Sequence, residues 1–154
     1  MSYISLDKTD RSILSLLQND ANQTLKVIAG KVNLSTTPCW KRIGRLHKAG
    51  VISATVALLD PQLVELDQTV FVAIKTNQHN IQWSEDFALK INDFPEVMEV
   101  YRMSGEVDYM LKVVVKNARA YDDFYKRMIT QIPLSDINSM FAMEEIKYTT
   151  ALPI

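Results

Sequence analysis

The sequence predicts an α+β protein in two parts, three short helices followed by a unit of order βαββαβ. Helical spacing of apolar residues dominates the first fifty residues, and beyond Asp60 short β-branched runs alternate with two amphipathic segments. The charge changes at the same point. Residues 1–59 carry eight Lys or Arg against three Asp, a net charge of +5, whereas residues 60–154 carry nine against fifteen acids, a net charge of −6. This asymmetry indicates two domains with different tasks.

Length and composition exclude several classes of protein. With 154 residues, 47% of them hydrophobic, the chain can form a core without metal or disulfide support. The single Cys39 cannot form an internal disulfide, and Met1 is followed by no basic and apolar leader, so we expect a cytoplasmic protein. No apolar run approaches the roughly 18 residues of a membrane span, so no membrane partner is expected.

The segment "LDKTDRSILSLLQND" predicts the first helix. Asp7 is a suitable N-cap and Asp10 lies in the first turn, where a carboxylate is favourable. An apolar stripe follows at helical spacing: Leu6, Ile13, Leu14, Leu16 and Leu17.

The next two helices are short. Thr24 can cap "LKVIAGKV", which spans barely two turns and needs packing partners. Ser35 can cap the third helix, with Pro38 tolerated in its first turn and Gly50 as its C-terminal stop.

The third helix is cationic on one side. Cys39, Ile43 and Leu46 share its apolar face, where Cys39 is expected to be a small core residue. Two short helices separated by about three residues, the second capped and basic, form the pattern of a helix-turn-helix, whose second helix enters the DNA major groove. The alternative is an ordinary solvated helix face, but the large apolar indole of Trp40 is unfavourable on a surface that contacts only water. The predicted DNA-binding residues are Thr36, Thr37, Trp40 and Lys41 nearest the bases, and Arg42, Arg45 and Lys48 mainly at the phosphate backbone.

A domain boundary is expected near residue 53. The β-branched segment "VISATVALL", residues 51–59, predicts a strand that leaves the helical part. We therefore assign 1–52 to a helix-turn-helix DNA-binding domain, winged-helix-like in type, 53–66 to a linker strand or hinge, and 67–154 to a second domain.

The second domain is predicted to be ferredoxin-like, since its order is βαββαβ. The predicted elements are strand Gln68–Thr76, helix Ser84–Asp93, strand Val97–Met103, strand Tyr109–Val115, helix Ala118–Gln131 and strand Ile137–Ile146.

The segment "RMSGEVDYML" between two of these strands predicts a tight hairpin, with Gly105 at the unusual backbone angle. A zwitterionic amino acid needs an acceptor for its ammonium group and N–H donors for its carboxylate; Asp108 offers the first and the turn's amides offer the second. The alternative to a binding site is an ordinary hairpin turn whose acidic side chains are only solvated. The candidate effector-binding residues are Ser104, Gly105, Glu106 and Asp108. His47 and His79 lack ligand spacing with Cys39, so no metal site is expected.

The combination "LDKTDRSILSLLQND", "LSTTPCWKRIGRLHKAGVI", "VALLDP", "SGEVDYMLKVVV" and "IKYTTALPI" resembles the Lrp/AsnC, or feast/famine, family of bacterial and archaeal transcription regulators. The resemblance covers the whole chain. It implies a DNA-binding domain, a C-terminal ligand-binding domain that dimerises through its sheet, and dimers that assemble into octamers or similar rings, with an amino acid held between dimers. The segments "TTPCWKR" and "FAMEEIKYTTALPI" look most like the branch linked to cysteine sensing and detoxification.

Two positions depart from the family pattern. The hairpin usually contains Gly-Asp-x-Asp, and Glu106 replaces the first Asp, which bears on effector identity. Glu65 and Asp67 stand where relatives often have glycine, which bears on the geometry of the linker.

The sequence therefore predicts a sequence-specific transcription regulator that binds double-stranded DNA, uses a small amino-acid effector and no cofactor, and is nucleoid-associated in a bacterial or archaeal cytoplasm. An effector-independent, nucleoid-like architectural protein is the alternative. An enzyme with Glu106 and Asp108 as acid and base is not expected, because no nucleophile, phosphate loop or metal-ligand pattern accompanies them.

Overall fold

The computed structural model describes residues 4–154 and divides them into two units. The first comprises the residues up to Ala57 together with Lys147–Ile154, and the second comprises Leu58–Ile146. The C-terminal eight residues therefore group with the helical unit, a placement that the sequence-based division at 67–154 does not include.

The first unit contains the three predicted helices, and residues 4–57 contain no strand. Its helices are α1 (Lys8–Asn19), α2 (Leu25–Lys31) and α3 (Thr36–Lys48). Their apolar faces form one core, in which Cys39 is fully buried as predicted; this burial raises the pKa of its thiol. The buried members are Ile13, Leu14, Ile28, Ala29, Cys39 and Leu46.

The helix ends follow the predicted caps with one difference. Asp7 and Asp10 form a reciprocal capping box, and the Thr24 hydroxyl accepts the N–H of Val27 at 3.4 Å. Gly50 follows α3 with φ +72°, the left-handed angle of a helix stop. Ser35 occupies the N-cap of α3, but its side chain makes no capping hydrogen bond.

The second unit is a four-stranded antiparallel sheet with two helices, which confirms the predicted βαββαβ order. Its elements are β1 (Gln68–Lys75), α4 (Ile81–Ile91), β2 (Val97–Arg102), β3 (Tyr109–Val115), α5 (Ala118–Gln131) and β4 (Asp136–Phe141). The strand order is β2-β3-β1-β4, so β1 and β3 are central. Alternate β3 side chains are buried, and the core joins strand residues such as Val72 and Leu111 to Phe87 of α4 and Phe124 of α5.

The structure differs most from the prediction at three elements, and the other predicted ends agree to within two residues. The strand expected at 51–59 does not form, because a strand needs a partner for its hydrogen bonds and all pairing among the described residues lies within 68–141. The strand predicted to reach Ile146 ends at Phe141, where its pairing with Val70 of β1 ends. Helix α4 begins at Ile81 instead of Ser84, because the Asn80 side chain accepts the Trp83 N–H at 2.8 Å.

Among residues 4–154, no helix is both long enough and apolar enough to cross a membrane.

Candidate DNA-binding helix and ligand pocket

Helix α3 is anchored by its apolar side and leaves its polar side to solvent. Cys39 and Leu46 are fully buried. The chain enters the helix through a tight turn, in which Asn33 has φ +55° and the N–H of Leu34 donates to the carbonyl of Ala29 at 2.9 Å. This turn ends α2 and lets α3 begin within a few residues, as a helix-turn-helix requires.

Six of the seven predicted DNA-binding residues lie exposed on α3, and Arg42 is half-buried. Trp40 is 64% exposed, so its indole is not used for packing within this unit. Neither Lys41 nor Lys48 has an ion-pair partner in the part of the chain that the structure describes. The exposed set is Thr36, Thr37, Trp40, Lys41, Arg45 and Lys48. Apart from Arg45, which is paired with Asp10, these residues offer hydroxyls, an indole and two ammonium groups for bases and phosphates.

The two arginines of α3 are engaged inside the unit. Arg42 donates to the carboxylates of Asp7 at 2.6 Å and Asp10 at 2.9 Å. Arg45 donates to the other oxygen of Asp10 at 2.5 Å. The Asp10 side chain is only 1% exposed, and the arginine side chains are 32% and 44% exposed. The structure therefore places Arg42 and Arg45 between α3 and the start of α1.

These contacts shift the pKa values of the two acids. Burial acts to raise the pKa of Asp10, but hydrogen bonds from Arg45, Arg42 and the Asp7 N–H outweigh it, and the pKa lies below its ordinary value. The pKa of Asp7 is also lowered, chiefly by the Asp10 N–H and then by Arg42. Both acids are therefore held as carboxylates near neutral pH, and the pKa of Arg42 is raised in turn.

A polar cavity of about 280 Å³ lies in the second unit, beside the end of β1 and the start of α4. It contains Asp108 of the predicted effector site but not Ser104, Gly105 or Glu106, which are exposed elsewhere on the hairpin. Gly105 has φ +119°, the conformation for which glycine was predicted there. The lining residues are Thr76, Gln78, His79, Asn80, Ile81, Ser84, Glu85, Arg102, Met103, Asp108 and Tyr109.

Asp108 is held by the backbone on both sides. One of its carboxylate oxygens accepts the N–H of buried Thr76 at 2.8 Å. Its own N–H donates to the carbonyl of Ile74 at 3.0 Å, and its carbonyl accepts the N–H of Met103 at 2.8 Å. A carboxylate has roughly four acceptor positions, so Asp108 retains capacity to accept hydrogen bonds from a cationic group in the cavity.

An aromatic group forms one wall of the cavity. Tyr109 lines it, and the Tyr109 hydroxyl lies 3.1 Å from the Ser84 hydroxyl. Phe87 packs against the Tyr109 ring at 4.5 Å between centroids, and Trp83 stacks on Phe87 at 5.2 Å. The Trp83 ring also lies 5.7 Å from the Tyr109 ring between centroids, so its fluorescence can report on occupancy of the cavity.

The sequence analysis did not identify most of the residues that line the cavity. Thr76, Gln78, His79 and Ser84 carry no motif and lie 24 to 32 residues before Asp108. Their one shared signal is position, at the end of a predicted strand and the start of the helix after it. Within residues 4–154, the structure shows no group of three or more His, Cys, Asp or Glu side chains that could hold a metal ion.

A cationic helix on a three-helix unit, in a chain that also contains a sheet domain with a polar cavity, defines a DNA-binding regulator with a ligand-binding domain. The family models agree. Residues 6–53 match the model described as winged helix-turn-helix DNA-binding, and residues 69–152 match the Lrp/AsnC ligand binding domain.

Similar proteins extend over nearly the whole chain. The DNA-binding transcriptional activator DecR of Escherichia coli K12 is 50% identical over 150 residues, which cover 97% of this chain and 99% of DecR. The glutamate uptake regulatory protein of Zymomonas mobilis is 43% identical over 149 residues, covering 97% of this chain and 91% of that protein.

Solved structures show the same architecture. An AsnC family transcriptional regulator from Agrobacterium tumefaciens is 54% identical with a TM-score of 0.94, covering 96% of this chain and 97% of the other. A transcriptional regulator from Neisseria meningitidis, in complex with L-methionine, is 33% identical with a TM-score of 0.91, covering 97% of each chain. The chain belongs to the Lrp/AsnC family: it is a DNA-binding transcription regulator with a ligand-binding domain, and the family is not one of enzymes.

Proposed function

We propose that this regulator senses a small amino acid through the cavity beside Asp108, and that occupancy changes its affinity for operator DNA. The observation that carries the proposal is Asp108 itself. Its carboxylate faces a mainly polar cavity and is held in place by Thr76 and the backbone of neighbouring strands. An ammonium group would complete its hydrogen bonding, and the amides of the nearby turn can serve a carboxylate.

The similar regulator from Neisseria meningitidis supports the ligand class, because it was solved with L-methionine. Cysteine is the finer candidate, supported by the resemblance of "TTPCWKR" and "FAMEEIKYTTALPI" to the cysteine-sensing branch of the family. We extend the family assembly to this chain as well: dimers formed through the sheet, assembled into an octamer or similar ring, with effector sites between dimers.

DNA binding is proposed for residues 1–52 and effector binding for 67–154, with 53–66 as the hinge. Thr36, Thr37, Trp40 and Lys41 are proposed to lie nearest the bases, where the Lys41 ammonium can also contact phosphate, and Lys48 is a proposed phosphate contact. In a dimer, two copies of α3 would contact half-sites about one helical turn, or a multiple of it, apart. An effector can alter this binding only if its affinity differs between the competing assemblies.

The test is direct binding of full-length protein to the DNA upstream of its own gene. Fluorescence anisotropy is measured in a salt titration, with and without each amino acid. The expected result is a loss of about 10³-fold or more in affinity between 50 and 200 mM salt if six or more phosphates are contacted. One amino acid should shift the curve. The double variant Trp40→Ala/Lys41→Ala should bind weakly, while Lys126→Ala, an exposed cation of α5, is the matched control.

Each failure has a separate meaning. No binding at any salt would refute DNA recognition by α3. Tight binding that no amino acid alters, together with no heat in calorimetry, would refute the sensing step and favour an effector-independent architectural protein.

A further inference from the structure

We infer that Asp10 is a positioning residue for DNA binding: it withdraws Arg42 and Arg45 from the DNA backbone and uses them to fix α3, leaving Lys41 and Lys48 to contact phosphate. The inference goes beyond the proposed function, and it rests on that function only in taking α3 as the DNA-binding helix. It also reverses the role that the sequence pattern alone predicts for the two arginines.

The geometry joins two helix segments more than thirty residues apart. Each oxygen of Asp10 receives one arginine, Arg42 at 2.9 Å and Arg45 at 2.5 Å. The oxygen paired with Arg45 also accepts the Asp7 N–H at 3.1 Å. The Asp7 carboxylate accepts the Asp10 N–H at 2.8 Å and Arg42 at 2.6 Å. The four side chains form a closed network that ties the start of α1 to the middle of α3.

Burial makes this network hard to open. The Asp10 side chain is 1% exposed, and an ionised carboxylate in such a place needs hydrogen-bonded cationic partners. Moving either arginine to a DNA phosphate would leave Asp10 buried with one of its two cations removed. Lys41 and Lys48 can contact phosphate without breaking an ion pair, since they have no ion-pair partner in the described residues 4–154.

The charge balance leads to the same assignment. Two carboxylates and two guanidinium groups sum to zero, so the network adds no net positive charge to the DNA-facing side. Asp7 is 52% exposed and would repel a phosphate if Arg42 did not neutralise it. Phosphate attraction on α3 is therefore left to the two lysines.

The decisive quantity is the salt dependence of binding, because each phosphate contact contributes about −0.9 to the slope of log K against log salt. Full-length wild type, Arg45→Gln, Lys41→Gln and Lys48→Gln are compared by anisotropy on one random-sequence 30-base-pair duplex. Arg45 and Lys48 are a matched pair, since both are exposed cations in the second half of α3.

We expect each lysine variant to lower the slope magnitude by about 0.9 for every engaged protomer, and Arg45→Gln to leave it unchanged. A slope loss in Arg45→Gln equal to that of Lys48→Gln would overturn the inference. An unchanged slope in both lysine variants would also overturn it, because the phosphate contacts would then lie elsewhere.

The Asp10→Asn variant tests the positioning role itself. Releasing the arginines should steepen the salt slope. It should also reduce discrimination between operator and random DNA by about tenfold or more, the effect of losing one base-pair contact. A purely structural Asp10 would lower stability but leave the slope and the discrimination of the folded protein unchanged, which would refute the inference.

Folding and DNA binding are checked separately. Circular dichroism establishes whether Asp10→Asn is folded, and if it is not, the comparison of Arg45→Gln with Lys48→Gln decides the question alone. If the wild type binds DNA with no salt dependence, the assignment of α3 as the DNA-binding helix is refuted. If the wild type shows a salt dependence and the arginine and lysine variants lose equal slope, only the positioning role of Asp10 is refuted.

Discussion

Replacing Asp108 by Asn separates the charge of this side chain from its structural hydrogen bond. The carboxylate accepts the N–H of Thr76 at 2.8 Å, and Thr76 is only 5% exposed. Asn has nearly the same shape and keeps an oxygen for this N–H, but it lacks the negative charge. Asp108→Ala would instead leave the Thr76 N–H unsatisfied, at a cost of about 1–3 kcal/mol of folding free energy.

The magnitude follows from the ammonium group that Asp108 is proposed to bind. A hydrogen bond to a charged group contributes about 1.5–3 kcal/mol, so Asp108→Asn should weaken effector binding by about 10- to 150-fold. Since the bond to Thr76 is retained, the free energy of unfolding should change by less than about 1.5 kcal/mol, the net value of one neutral hydrogen bond.

The assay is calorimetric titration with a panel of amino acids that includes cysteine, leucine and methionine. A Trp40→Phe background leaves Trp83 as the single tryptophan, since the chain has two, so its fluorescence gives a second measure of binding. Glu106→Gln is the matched control: it removes the same charge from an exposed position outside the cavity. If Asp108→Asn binds the effector as tightly as wild type, the assignment of the ammonium site is refuted.

Three further predictions concern stability. Because the folded pKa values of Asp7 and Asp10 are lowered, their stabilisation should be complete above their unfolded values of about 3.9 and be lost as pH falls through the folded values. Urea unfolding of wild type from pH 7 to 3 should show this decline, and an equal decline in Asp10→Asn would contradict it. Gly105→Ala should lower unfolding free energy by about 1–3 kcal/mol, since its φ of +119° strains a side chain although the space is open; an unchanged denaturation midpoint would contradict this. Gln18 accepts the Leu152 N–H at 2.7 Å and donates to the Leu152 carbonyl at 3.1 Å, so Gln18→Ala should raise hydrogen exchange at that amide and cost about 1 kcal/mol; unchanged protection would show that this contact does not hold the C-terminal segment.

Local patterns predicted most of the secondary structure. Strand Tyr109–Val115 and helix Ala118–Gln131 have the predicted bounds. Their periodicity and caps depend on residues within a turn or two of the chain. The expected strand at 51–59 failed for the opposite reason, since β-branched residues favour an extended backbone but cannot supply a partner.

The linker contains a non-glycine residue with a left-handed backbone angle. Glu65 has φ +57°, an angle that favours glycine, and its carboxylate pairs with Lys116. The sequence identified this position as a departure from relatives that often have glycine. The pairing with Lys116, fifty-one residues away, was not predictable from the segment itself.

By itself, the sequence determined the two-part organisation, the order of elements and the cationic third helix, and it predicted Asp108 as a ligand-binding residue. Each depends on composition or on side chains close together along the chain. Only the tertiary structure decided that Arg42 and Arg45 pair with Asp10, and that Asp108 shares a cavity with residues after β1 instead of with Glu106. A helical projection gives the direction of a side chain but not its neighbour on another element, and ion pairs and cavities are made by such neighbours.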